Sequence, residues 1–142
     1  MTNARRRIED PTKETRETPL TEEARLSVMV VDDDARFRGL AGRLLSACGY
    51  RVVSEASSVS DALAQLAHRK PDLVLLDVGL PDGDGLELSR LITAPPSTVR
   101  VVLVSADCDA TSARGAADAG ASGFIPKSDL SCEALASILQ NP

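Results

Sequence analysis

The chain has 142 residues, a formal charge of -5 and 43% hydrophobic residues, which by length makes one domain and by composition supplies one core. Only 2% of residues are aromatic, none is Trp, and 21 acids face 16 bases, so a base-stacking platform and a general affinity for nucleic acid or anionic lipid are excluded. Cys48, Cys108 and Cys132 are far apart with no CxxC, a pattern that suggests neither a disulfide framework nor a zinc site and favours a reducing, cytoplasmic setting.

Residues 1–25 hold one Ile and one Leu among six basic and six acidic side chains, too little apolar surface to offset the entropy of ordering. They read as a mobile tail, with a short helix near Thr21 as one option, ahead of a domain over 26–142. The acids beside Arg5, Arg6 and Arg7 cancel that basic run. No stretch approaches the roughly 18 apolar residues of a membrane span, and no signal-peptide apolar region opens the chain.

From Leu26 five short apolar runs follow one another: LSVMVV, RVVSEA, LVLLD, VRVVLVSA and GFIPK. Between the first two, Phe37, Leu40, Ala41, Leu44, Leu45 and Cys48 recur at helical spacing, and Gly49 follows as a stop. Continuous apolar strands alternating with helices imply right-handed crossovers and a parallel sheet covered on both faces. The expected fold is α/β, a three-layer (βα)5 doubly wound sheet of five strands, and ligands of such sheets sit beyond the carboxyl ends of the strands.

Those ends carry Asp32, Asp33 and Asp34 after the first strand, Asp77 after the third, Ser105 after the fourth and Lys127 after the fifth. Asp34 is also a good helix N-cap. Carboxylates about 4 Å apart repel by roughly 4 kcal/mol per pair at an effective dielectric near 20, and one lysine cannot balance three of them. A hard-oxygen cluster without His or Cys suits Mg²⁺, which leaves Asp77 as a carboxylate nucleophile toward phosphorus, with Ser105 as hydroxyl donor and Lys127 as cation.

In order and position, VVDDDARFRGL, LVLLDVGLPDGDG, VVLVSA and GFIPKS resemble the receiver domain of two-component response regulators over about residues 26–140. The resemblance implies a flavodoxin-like sheet of order 2-1-3-4-5 and phosphorylation of Asp77 by a sensor histidine kinase or a small phosphodonor. It implies Mg²⁺ held by Asp33, Asp77 and the carbonyl of Gly79, with Asp32 acting through water. Ser105 and Lys127 would contact the phosphoryl oxygens, and Phe124 would follow Ser105 inward as a switch aromatic. Gly79 and Asp107 occupy positions that tune hydrolysis in the family. Pro126 precedes the lysine, where many members have a proline after it, and is tolerable on an edge strand.

Such a domain is a signalling switch rather than an enzyme, read by an output partner, with homodimer formation open and neither direct DNA binding nor membrane contact expected. It is either a stand-alone receiver or the N-terminal part of a DNA-binding regulator. A receiver-like module that is never phosphorylated is one alternative. An aspartate-nucleophile phosphatase is another, although position 79 is Gly where that class needs a second Asp. His68 reads as a surface residue at a helix end, Cys48 and Cys132 as small core residues, and Cys108 as a thiol beside the site. Residues 109–120 read as an Ala-rich helix weakened by Gly115 and suited to shifting.

Overall fold

The computed structural model describes residues 25–140; the proposed tail, with its short helix, lies outside them. Five strands, β1 (Ser27–Val31), β2 (Arg51–Ala56), β3 (Leu73–Asp77), β4 (Arg100–Ser105) and β5 (Gly123–Pro126), form one parallel sheet. Their order is β2-β1-β3-β4-β5. The helices α1 (Ala35–Ala47), α2 (Val59–Leu66), α3 (Gly85–Thr93), α4 (Ala113–Asp118) and α5 (Cys132–Leu139) alternate with them. A two-stranded ribbon, Gly79–Leu80 against Gly83–Asp84, links β3 to α3.

Side chains along a strand alternate between the two faces of the sheet, and the core divides accordingly. Val28 and Val30 join Leu73, Leu75, Val102 and Ile125 under α1 and α5, with Ala41, Leu45 and Leu135 from those helices. Met29 and Val31 join Val74, Leu76, Val101 and Leu103 on the opposite side, under Ala62, Leu66, Leu88, Ile92 and Ala116. Two apolar faces of one sheet, each covered by helices, give the three layers expected from the uninterrupted apolar runs.

Local signals set the helix ends. Asp34 caps α1 by accepting from the Arg36 N–H, as expected. Gly49, at φ +97°, lets the chain turn out of α1, and the Tyr50 N–H then returns to the Leu45 carbonyl. The Ala-rich helix is shorter than expected: α4 runs only from Ala113 to Asp118, because Ser112 accepts from the Gly115 N–H and starts the helix there. Within the α1 stripe, Ala41 and Leu45 are buried but Leu40 is 57% exposed, since the helix presents only a narrow face to the sheet.

The cysteine reading is corrected outright. Cys48 caps the C-terminus of α1, Cys132 opens α5, and the two form a disulfide across 84 residues of sequence, with Cα atoms 5.5 Å apart. No local spacing announces this bond, because it depends on the α1 end and the α5 start meeting on one face of the sheet. Cys108 remains a free, exposed thiol. His68 is exposed, as expected.

Candidate functional site

The carboxyl edge of the sheet gathers the expected groups. Asp32 follows β1, Asp77 ends β3, Ser105 ends β4 and Lys127 follows β5 directly. Register fixes their neighbourhood: Asp77 lies opposite Val104, one residue before Ser105, and Ser105 lies opposite Pro126, one residue before Lys127. β5 pairs only with β4 and is therefore an edge strand, which is where Pro126 is tolerated.

Asp32 is fully buried and tied on both oxygens. Its Oδ1 accepts from the Asp34 N–H at 2.8 Å, and its Oδ2 lies 2.7 Å from Lys127 Nζ. The same ammonium is 3.6 Å from Asp77 Oδ2 and 4.4 Å from the centroid of the Phe37 ring. Cation–π attraction thus adds α1 to the residues that place the lysine. Burial alone would depress the Lys127 pKa, but the pairing with Asp32 and Asp77 outweighs it and raises the value above that of an ordinary lysine.

Asp77 is only 7% exposed. Its carboxyl is pushed above the ordinary aspartate range, first by burial and then by the charge of Asp32. Lys127, the Gly79 N–H at 3.4 Å and Asp33 contribute smaller effects, of which only the last also raises it. Asp33 is exposed. Oxygens of Asp32, Asp33 and Asp77 all lie within 4.8 Å of one another. Three carboxylates face one ammonium in a donor set of oxygens, with Asp33 open to solvent. That combination fits a hard divalent cation such as Mg²⁺, which keeps water ligands and accepts phosphate oxygens.

Gly79 is exposed, and a methyl group added there would meet nothing within 4 Å, so no side chain screens Asp77 from that direction. Ser105 is buried and its Oγ accepts from the Asp107 N–H at 3.1 Å, so it also shapes the loop that follows, the plainer of its two roles. Ser105 lies two residues beyond Leu103 on the α4 side of the sheet, and Phe124 is the register partner of Leu103. Ser105 and Phe124 therefore share a face, while strand alternation turns Asp77 and Lys127 toward α1 and α5. Phe124 is half-buried and packs against the core of its side.

Several site residues escaped the sequence reading. Phe37 was legible only as a member of an apolar stripe. Gly85 is obligatory: a Cβ there would run into the Asp77 carbonyl oxygen and lie 2.8 Å from Val78, so α3 starts directly against the backbone of Asp77. Asp82, in the turn of the ribbon, accepts from the Val59 and Ser60 N–H groups at 2.7 and 3.0 Å and so docks that turn on the start of α2. These N–H donors hold its carboxyl below the ordinary range. The glycines and acids of PDGDG were the available signal, but their partners lie elsewhere in the chain.

Comparison with known proteins places this arrangement. The pattern of the family described as response regulator receiver domain matches residues 28–139. The KDP operon transcriptional regulatory protein KdpE of Escherichia coli (strain K12) is 39% identical over 101 residues, covering 71% of this chain and 44% of that protein. The DNA-binding transcriptional activator DevR/DosR of Mycobacterium tuberculosis (strain ATCC 25618 / H37Rv) is 36% identical over 103 residues, covering 72% and 48%. The chain thus spans less than half the length of these two relatives. Among solved structures, the signal receiver domain of NarL from Mycobacterium tuberculosis superposes with a TM-score of 0.70 at 29% identity, covering 83% of this chain and 98% of that one.

Proposed function

Because the chain belongs to the response regulator receiver domain family, we propose that Asp77 is its phosphoacceptor and that residues 26–142 form the switching unit. The observation that carries this reading is the convergence of Asp32, Asp33 and Asp77 with Lys127 at the carboxyl edge of the sheet. An oxygen of Asp77 attacks the phosphorus of a phosphohistidine on a sensor kinase. The P–N bond breaks as the new P–O bond forms, and the imidazole leaves. Asp32, Asp33, Asp77 and the carbonyl oxygen of Gly79 would hold Mg²⁺, which when bound supplies positive charge to the carboxylates and the phosphoryl oxygens.

Lys127 offsets charge on the transferred group, and Ser105 donates its hydroxyl to a phosphoryl oxygen. Their work is positioning and charge stabilisation, which is most of what phosphoryl transfer requires. Ser105 and Phe124 share the α4 side, so a shift of Ser105 toward the phosphoryl group frees space for Phe124 to turn inward. The surface changed in this way is read by an output partner, either a separate protein or a DNA-binding segment of the same polypeptide. The similarity to KdpE and DevR/DosR supports the second arrangement. Among the described residues no helix is long and apolar enough to cross a membrane, and we place the domain in the cytoplasm with its kinase partner.

Incubation with acetyl phosphate and Mg²⁺ tests the reading. One phosphoryl group should appear on the intact chain by mass spectrometry and be absent from Asp77→Asn. A chain that gains no mass while Mg²⁺ is present is an interaction module and not a phosphoacceptor.

A further inference from the structure

The Cys48–Cys132 disulfide joins the C-terminal end of α1 to the start of α5, the helix that follows the lysine loop. Lys127–Asp129 form a single 3₁₀ turn directly after β5, and Cys132 begins α5 three residues later. Inside this connection one long backbone bond, Leu130 N–H to the Lys127 carbonyl at 3.3 Å, is the internal tie of the turn. The loop is therefore held mainly from outside. At its start Lys127 sits over Phe37 of α1, and at its end Cys132 is bonded to the C-cap of the same helix. Between these points an open groove of about 470 Å³ separates Leu40 and Leu44 of α1 from Ser128 and Leu130 of the loop. Lys127 anchors the start of the loop through Asp32 and Asp77, and the covalent tie fixes its far end to α1.

Neither cysteine is buried: Cys132 is exposed and Cys48 half-buried. In a cytoplasm, an accessible disulfide is more often a reversible redox device than a permanent staple. We propose that Cys48 and Cys132 form a dithiol–disulfide switch whose oxidised state holds the Lys127 loop against α1 and so adds a redox input to the phosphoacceptor. This inference rests on the cytoplasmic receiver reading above. The exchange balances with a low-molecular-weight thiol as reductant. One thiolate attacks a sulfur of the pair, forming a mixed disulfide and expelling the other cysteine as thiolate. A second thiolate then attacks the small-molecule sulfur of that mixed disulfide and expels the remaining cysteine as thiolate, so that protein disulfide plus two RSH gives protein dithiol plus RSSR, and the reverse reaction consumes RSSR as oxidant.

The full chain carrying Cys108→Ser, which removes the third thiol from the exchange, is equilibrated in glutathione buffers from strongly reducing to strongly oxidising. Free thiols are then trapped by alkylation and counted by mass. The pair should convert between no trapped thiols and two as the buffer changes. In the dithiol state the amides of residues 127–135 should exchange with solvent several-fold faster, and Asp77 should be labelled by acetyl phosphate several-fold more slowly. Cys132→Ser in the same background cannot close the bond and should match the dithiol state in every buffer. Two thiols trapped in all buffers, none trapped even in the most reducing, or equality of either readout between the two states would overturn the proposal. Labelling of Asp77 in either redox state upholds the phosphoacceptor reading independently, so the two can fail separately.

Discussion

In Asp77 the proposed phosphoacceptor role is set against stability. Its raised pKa means that the native state holds this proton more tightly than the unfolded chain does. Between the unfolded carboxylate value of about 3.9 and the higher native value, folding takes up a proton, so this group's contribution to stability falls as pH rises through that window. Asp77→Asn removes the buried charge while keeping the shape, and in metal-free buffer at neutral pH it should raise Tm by about 5 °C, corresponding to about 1 kcal/mol. Mg²⁺ should raise the Tm of the parent protein by mass action and that of the variant much less, which thermal melts with and without the metal will show. Lys127 has the opposite character. Lys127→Met leaves the fully buried Asp32 without its ion-pair partner and should destabilise the fold by about 3 kcal/mol, measured by urea unfolding.

At the scale of elements, the start of α3 and the turn of the ribbon hold the Asp77 strand in place. Gly85 admits no side chain because the Asp77 carbonyl occupies the space a Cβ would need. Gly85→Ala should therefore cost about 3 kcal/mol and slow phosphorylation as β3 or α3 moves aside, whereas Gly79→Ala, which meets open space, should leave stability nearly unchanged. Denaturant melts of the two variants separate a packing requirement from mere glycine content. The Asp82 contact with α2 has its own pH signature. Its folded pKa is lowered, so the stability it contributes is present above the unfolded value and lost as pH falls through the folded one. Asp82→Ala should be less stable than the parent near neutrality, with the difference vanishing in strong acid; equal melts across the range would remove this role.

For the whole molecule, the largest single constraint outside the core is the disulfide. Closing a loop of 84 residues restricts the unfolded ensemble by about 4.5 kcal/mol in the chain-entropy treatment. Reduction should accordingly lower Tm by on the order of 10 °C, as followed by circular dichroism with and without dithiothreitol. The bond spans the face where α1 and α5 cover the sheet, which is also the face toward which Asp77 and Lys127 turn. Packing there is the sum of Leu45, Leu135 and Ile125 below and a covalent tie above, so loss of the tie should be felt in the lysine loop before the core.

Much of this protein was legible in its chain. Five apolar runs separated by amphipathic stretches are sufficient to specify a parallel sheet covered on both faces, because a strand buried on two sides cannot alternate with polar residues. Asp32, Asp33, Asp77, Ser105 and Lys127 were legible for the same reason: each sits where an apolar run stops, and all parallel strands stop at one edge. Only the tertiary structure decided what depends on residues distant in sequence. Phe37 beneath Lys127, Gly85 against the Asp77 carbonyl, Asp82 on the α2 terminus and the union of Cys48 with Cys132 are such cases. Periodicity encodes which face of an element is buried, but it carries no record of which other element will cover it, and these contacts exist only once helices and strands have chosen their neighbours.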